Sequence, residues 1–196
     1  MTDTDVLIVG AGPAGLALAA ALQARDVDAL VVDRLAAGAN TSRAAVVNAR
    51  TLEVLEELGV AERLVELGIH APRFTIRDGH KTLIPVGFST LPTRYPYSVM
   101  VPQCTTERVL LDRLAELGGK VVRPKTLTRV TQDGEGVTAH FDDGETIRAR
   151  YLVGADGMHS VVREQSGIGF SGGQYGQSFA LADVRLTGDV AASEVI

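Results

Sequence analysis

The segment Gly10-Ala11-Gly12-Pro13-Ala14-Gly15 constrains this chain more than any other, because it joins a short apolar run, Val6-Leu7-Ile8-Val9, to an alanine-rich stretch over residues 16–24. A continuously apolar, β-branched run of that length forms a parallel strand buried on both faces. The alanine-rich stretch forms a helix whose small side chains allow close approach to a sheet, and residues 28–33, with Ala29-Leu30-Val31-Val32 at their centre, supply a second buried strand. The opening is therefore a βαβ unit. Each glycine has its own task in it: Gly10 permits the tight turn, Gly12 lets backbone approach a diphosphate with no Cβ in the way, and Gly15 lets helix and strand pack closely. Pro13 and Ala14 lead into the helix, whose amino terminus offers unpaired N–H groups and about half a positive charge. Asp33 lies eighteen residues beyond Gly15, at the end of the second strand, where a carboxylate accepts hydrogen bonds from both hydroxyls of an adenosine ribose. Strand, glycines, helix, strand and acid in that order point to a dinucleotide site rather than a plain turn. The charge of Asp33 disfavours a 2′-phosphate there.

Further along, Leu52, Leu55 and Leu58 form one apolar helical face ended by Gly59, and Leu64 with Leu67 before Gly68 forms a second short helix. Between residues 73 and 101 the period changes to two: Phe74 and Ile76 alternate with Thr75 and Arg77, Asp78-Gly79 makes a hairpin turn, and Pro85, Pro92 and Pro96 punctuate the rest. These are expected to be strands of a second sheet. Thr105 is predicted to cap a helix running through Leu117, with Glu107 in its first turn and Gly118 at its end. Val121-Val122 reads as a third parallel strand. Three alternating runs follow, over residues 126–131, 137–141 and 146–151, forming an antiparallel meander used as a crossover. It leads to a further strand, Tyr151-Leu152-Val153, with Gly154-Ala155-Asp156-Gly157 at its carboxyl end and a short helix near residues 159–165. Another strand is expected over residues 178–186.

Composition narrows the functional classes. The formal charge of −5 argues against nucleic acid or an anionic membrane as partner, so any phosphate must be held locally. The one cysteine, Cys104, excludes an internal disulfide and a multi-thiolate zinc site, and its expected place is a buried small side chain. No apolar stretch reaches bilayer-spanning length and the amino terminus is acidic where a secretion signal is basic. A cytoplasmic location is expected. His70, His80 and His140 have no second ligand at metal spacing, so no metal site is assigned.

The glycine pattern alone does not decide between FAD and NAD; other segments bear on it. Gly10 to Gly15 with Asp33-Arg34, Ser42-Arg43-Ala44 followed by Arg50-Thr51-Leu52-Glu53, Val101-Pro102-Gln103 before a helix carrying Glu107, and the run from Gly154 through Asp156, His159 and Ser160 to Arg163 resemble the flavoprotein aromatic hydroxylases. That family is the para-hydroxybenzoate hydroxylase type of FAD-dependent monooxygenase and includes phenol and polyketide hydroxylases. The resemblance implies an α/β fold: a Rossmann-like FAD-binding domain with a parallel sheet and a three-stranded meander crossover, plus the beginning of an inserted, mostly antiparallel substrate domain. The FAD-binding domain would comprise residues 1–71 and 99–170, and the partial substrate domain residues 72–98 and 171–196. It also implies that Gly10, Gly12 and Gly15, with Pro13 and Ala14 between them, face the FAD diphosphate, and that Asp33, followed by Arg34, holds the adenosine ribose. Arg43 and Gln103 would lie near the diphosphate and ribityl chain and Asp156 at the linker region, with His159 and Arg163 as candidates for the phosphates of incoming NADPH or NADH.

The resemblance further implies transfer of one oxygen atom from O2 to an electron-rich aromatic ring at the expense of NAD(P)H. The cofactor performs the hard chemistry, so no general acid or base is assigned. Phe74, Phe88, Tyr95 and Tyr97 are open to lining a substrate pocket or to ordinary packing. Family members usually carry a Gly-Asp-Ala-Ala-His type segment for the riboflavin part of FAD; Gly188-Asp189-Val190-Ala191-Ala192 is not taken as that segment, since no histidine follows. The chain thus resembles an amino-terminal portion of a hydroxylase. The alternatives are a non-catalytic FAD or nucleotide-binding fragment, a halogenase or reductase of the same superfamily, and an NAD-dependent dehydrogenase, which would leave Arg43, Gln103 and the Asp156 segment unexplained. Substrate and oligomeric state are not legible.

Overall fold

A computed structural model describes residues 3–38, 45–78, 80–173, 176, 187 and 194–195. Strand β1 (Thr4–Val9), helix α1 (Pro13–Gln23) and strand β2 (Ala29–Val32) realise the βαβ unit, with β1 and β2 parallel in the register Val6 to Ala29 and Val9 to Val32. Short β3 (Val46–Val47), α2 (Ala49–Glu56), α3 (Ala61–Leu67) and β4 (Ile69–Ala71) follow. Next come the hairpin strands β5 (Arg73–Asp78) and β6 (Lys81–Gly87), then β7 (Ser98–Met100), α4 (Gln103–Glu116) and β8 (Lys120–Val122). The meander is β9 (Leu127–Asp133), β10 (Gly136–Phe141) and β11 (Thr146–Gly154), and α5 (Val161–Gln165) and β12 (Glu194–Val195) complete the described elements.

The main sheet has the order β8-β2-β1-β11-β10-β9. Its architecture corrects one sequence expectation. The third meander run and the Tyr151-Leu152-Val153 run are a single strand, β11, whose first half pairs antiparallel with β10 while its length from Ala149 to Gly154 pairs parallel with β1. The alternation of residues 146–151 and the apolar run after it look like two elements because the strand has different neighbours along its length, and so different burial. Two small sheets, β3-β7-β4 and β12-β5-β6, stand beside the main one. Pro85 does not end its strand as its punctuating role suggests. It sits within β6, an edge strand, where a missing N–H costs no ladder bond.

Alternation along β1 divides the core. Val6 and Ile8 face α1, α2, α3 and α4 with Leu16, Leu52, Leu64, Leu110 and Leu114, while Leu7 and Val9 join Val32, Ala149, Ala139, Phe141 and Leu127 on the opposite face. The meander's own side chains thus cover the second face. Leu7 and Ile8 are fully buried, each such side chain contributing about 1.5–3 kcal/mol. Among the described residues no helix is long and apolar enough to cross a membrane.

Helix α4 starts earlier than Thr105. Its N-cap is Pro102, whose carbonyl accepts the N–H groups of Thr105 and Thr106, and Thr105 lies inside the first turn with no capping bond. Glu107 consequently belongs to the second turn. The shift also corrects Cys104, which is exposed: residues 104, 108 and 112 form the solvent face, opposite the face of Thr106, Glu107, Leu110 and Leu114. The expected strand over residues 178–186 and the Gly79 half of the hairpin turn lie outside the described residues.

At the β9–β10 turn Asp133 accepts hydrogen bonds from the Arg148 guanidinium (2.5 Å) and from the amides of Glu135 and Gly136. Arg148 is the largest cause, and these contacts hold the Asp133 carboxyl down to about 2. Lowered in the folded state, this group stabilises the fold at pH values above its unfolded pKa, and that contribution is lost as pH falls through the folded value. In urea titrations, Asp133→Asn is expected to lower the midpoint by a constant amount from neutral pH to about 4, and the gap should close as pH approaches 2. A gap that persists unchanged at pH 2 contradicts this assignment.

Candidate dinucleotide-binding site

The glycine turn, the carboxyl end of β2, the start of α4, the β8–β9 connection and the turn after β11 converge on one crevice of about 300 Å³. It opens at the carboxyl ends of parallel strands β1, β2 and β11, where ligands of open α/β sheets bind. Gly10, Gly12, Pro13, Ala14, Asp33, Arg34, Gln103, Asp156 and His159 all line it. Distances between the sequence positions of these residues span most of the chain, so their convergence is a property of the fold.

The three glycines prove to be different in kind. Gly10 has φ +108, and a Cβ on it would stand 2.3 Å from the Ala155 carbonyl oxygen. Gly15 does not line the crevice. A Cβ there would stand 1.9 Å from the Gly10 carbonyl oxygen and 3.3 Å from the Ala155 Cβ, so its role is to let α1 close onto the turn and β11. Gly12 has extended backbone, is the N-cap of α1, and would place a Cβ where nothing lies within 4 Å. The gap is on the crevice wall, and no side chain caps the helix there. The first intrahelical bond runs from the Leu16 N–H to the Gly12 carbonyl, leaving the amides of Ala14 and Gly15 ahead of it. An open cradle under a helix amino terminus accommodates a diphosphate.

Asp33 has a second duty that its spacing does not disclose. Its Oδ2 accepts from the Ala11 N–H at 2.6 Å and its Oδ1 from the Leu35 N–H at 2.7 Å, so the carboxylate ties the glycine turn to the segment after β2. Each oxygen keeps a further lone pair for a hydroxyl. Asp156 behaves similarly: it accepts from the Ser160 hydroxyl at 2.6 Å and from the Val162 N–H at 3.3 Å, while Ser160 caps α5 through the Arg163 N–H. Asp156 thus organises the turn after β11 while lining the crevice. Gln103 donates to Glu107 Oε1 at 2.8 Å. Arg34 and His159 are exposed on the rim.

One described site residue stands apart on the side-chain contacts it makes. Arg163 does not line the crevice; its guanidinium donates to the Met158 carbonyl, lies 3.6 Å from Glu164 and covers the Phe170 ring at 4.6 Å. Arg43 lies outside the described residues. The aromatics separate too. Tyr95 is buried in the core, whereas Phe88 and Tyr97 line a second cavity of about 370 Å³ beside the start of α2.

Other crevice residues carry no sequence signal. Arg123, Lys125, Thr126 and Leu127 reach it because the Lys125 N–H donates to the Asp33 carbonyl, which seats the β8–β9 connection across the end of β2. The buried Lys125 ammonium meets Asp143, at 2.5 Å, and Glu145, and these, Asp143 first, hold its pKa above the usual lysine value. Glu107 is likewise buried on the wall. A lone lysine after a proline looks like any solvated charge in a sequence.

Comparison with known proteins adds a family and relatives. Residues 3–194 match the family described as FAD binding domain. The 12-dehydrotetracycline 5-monooxygenase/anhydrotetracycline 6-monooxygenase of Streptomyces rimosus subsp. rimosus is 38% identical over 187 residues, covering 93% of this chain and 36% of that protein. Pentachlorophenol 4-monooxygenase of Sphingobium chlorophenolicum is 37% identical over 179 residues, covering 88% of this chain and 33% of that protein. Among solved structures, the Diels-Alderase PyrE3 of pyrroindomycin biosynthesis superposes with a TM-score of 0.77 at 36% identity, covering 87% of this chain and 36% of that one. The chain thus spans about a third of the length of each.

Proposed function

This chain belongs to the FAD binding domain family, and from that premise we propose that it holds FAD in the crevice as the nucleotide-binding portion of a monooxygenase acting on aromatic, phenolic or polyketide-like substrates with NAD(P)H and O2. The observation that carries the reading is the gap at Gly12, an unfilled backbone cradle beneath the α1 amino terminus. In it, the Ala14 amide and the α1 amino terminus would meet the diphosphate and Asp33 the adenosine ribose, with Gln103 and Asp156 toward the flavin half. When bound, FAD supplies the redox and oxygen chemistry. The chain's own contribution is binding and orientation: charge from the helix terminus, fixed acceptors at Asp33 and Gln103, and a turn made rigid by Asp156 and Ser160. His159, on the rim, is the remaining candidate within the crevice for the phosphates of NAD(P)H, because Arg163 is committed to Met158 and Phe170. Relatives that are monooxygenases of 12-dehydrotetracycline and anhydrotetracycline and of pentachlorophenol support the substrate class. The division into an FAD-binding domain, residues 1–71 and 99–170, and a partial substrate domain remains part of this proposal.

One observation favours a second reading. The Diels-Alderase likeness shows that a chain of comparable similarity serves a protein with a different activity, so FAD could be held here as a structural element. The test is to denature the purified protein, assay released FAD, and follow NAD(P)H oxidation with and without phenols. Released FAD and ring-stimulated oxidation are expected; FAD without ring-stimulated oxidation selects the second reading, and absence of FAD affinity defeats both.

A further inference from the structure

Glu107 is a buried carboxylate, 7% exposed, on the wall of a crevice suited to a diphosphate. A negative charge in that place opposes an anionic ligand, so what it does for its neighbours matters. Its Oε1 accepts from Gln103 Nε2 at 2.8 Å. Its Oε2 faces the segment after β2, where a Cβ on Gly38 would stand 3.0 Å from it. A carboxylate only accepts, whereas a carboxamide has one accepting and one donating end. The Gln103 amide is therefore turned with its nitrogen toward Glu107 and its carbonyl oxygen away from it.

We propose that Glu107 is a positioning residue for FAD: by fixing which way the Gln103 amide points, it presents a carbonyl acceptor to the hydroxyls of the ribityl chain. This rests on the FAD reading above. Donors on the ribityl chain would match a fixed acceptor, whereas diphosphate oxygens would not. The adenosine and diphosphate half of the cofactor, held by Asp33 and the α1 amino terminus, would gain no hydrogen bond through Glu107 and feel only its opposing charge.

The test compares FAD with ADP-ribose, which carries the adenosine and diphosphate but neither ribityl chain nor flavin ring. Glu107→Gln keeps the volume and offers either an acceptor or a donor to Gln103, so the amide loses its single orientation while the fold is kept. Glu107→Gln is expected to weaken FAD binding about fivefold, the worth of roughly one hydrogen bond, and to leave ADP-ribose affinity unchanged or raised, since the substitution also removes a charge that opposes the diphosphate. In a Gln103→Ala background the same substitution should bring no further loss of FAD affinity, because the residue through which it acts is gone. An equal loss for ADP-ribose, an undiminished loss in the Gln103→Ala background, or unchanged FAD affinity overturns the proposal. Wild-type protein that binds ADP-ribose but not FAD overturns the FAD reading itself, and the role of Glu107 falls with it.

Discussion

Replacing Gly12 by valine is expected to remove flavin uptake while the fold survives. Gly12 has φ −75 and ψ 179, a conformation open to any residue, and a Cβ there meets no protein atom within 4 Å. The cost to the apoprotein is that of a poorer N-cap, at most about 1 kcal/mol, which for a chain of this size moves the thermal midpoint by about 2–4 °C. The valine methyls would occupy the space through which a diphosphate reaches the first-turn amides. Losing that approach removes hydrogen bonds to charged oxygens and the helix-terminus field together, about 3 kcal/mol or more than a hundredfold in affinity. FAD titration by fluorescence, beside a thermal melt of the same sample, makes the measurement. A folded Gly12→Val protein whose FAD affinity is within threefold of wild type would refute the placement of the cofactor.

Gly15 should respond in the opposite sense, through the fold rather than the ligand. Even Gly15→Ala puts a methyl carbon 1.9 Å from the Gly10 carbonyl oxygen and against the Ala155 Cβ. Relief requires α1 to move off the turn, which would pull Leu16, Ala19 and Ala20 from the core they share with Val6 and Ile8. Overpacking between backbone segments costs more than about 3 kcal/mol when neither can yield, a large part of the roughly 5–15 kcal/mol by which a domain is stable. A fall of the apoprotein melting midpoint on the order of 10 °C is expected, with FAD affinity reduced only as far as the fold is. A Gly15→Ala protein as stable as wild type would mean that helix and turn are farther apart than described. Two glycines three residues apart thus divide the work, one admitting the ligand and the other closing the helix.

Much of the site was legible because its determinants are local. The turn at Gly10, the cradle at Gly12 and the acid at Asp33 lie within one βαβ unit, where strand geometry and helix length set the spacing between them. The limits of the reading are equally physical. Thr105 looked like a helix cap, but the helix begins at Gln103 on the Pro102 carbonyl, which places Cys104 in its first turn on the solvent face, while Glu107 is buried because it shares the face of Leu110 and Leu114. Arg163 stood in a motif suited to phosphate, yet nearby Met158 and Phe170 claim its guanidinium.

By itself, the order of residues determined the glycine turn, the helix that follows it, the acid at the end of β2, and that β1 is covered on both faces, since these follow from short-range sterics and the two-residue period of a strand. Tertiary structure alone decided which further side chains wall the crevice beside those the motifs name. Arg123, Lys125 and Leu127 arrive from beyond α4 because two backbone bonds, Asp33 N–H to the Val122 carbonyl and Lys125 N–H to the Asp33 carbonyl, seat their segment beside β2. The single strand β11, paired with β1 on one side and β10 on the other, likewise brings Asp156 to the end of the sheet. Contacts between segments this far apart depend on how helices and sheet pack, and no local pattern of residues records that packing.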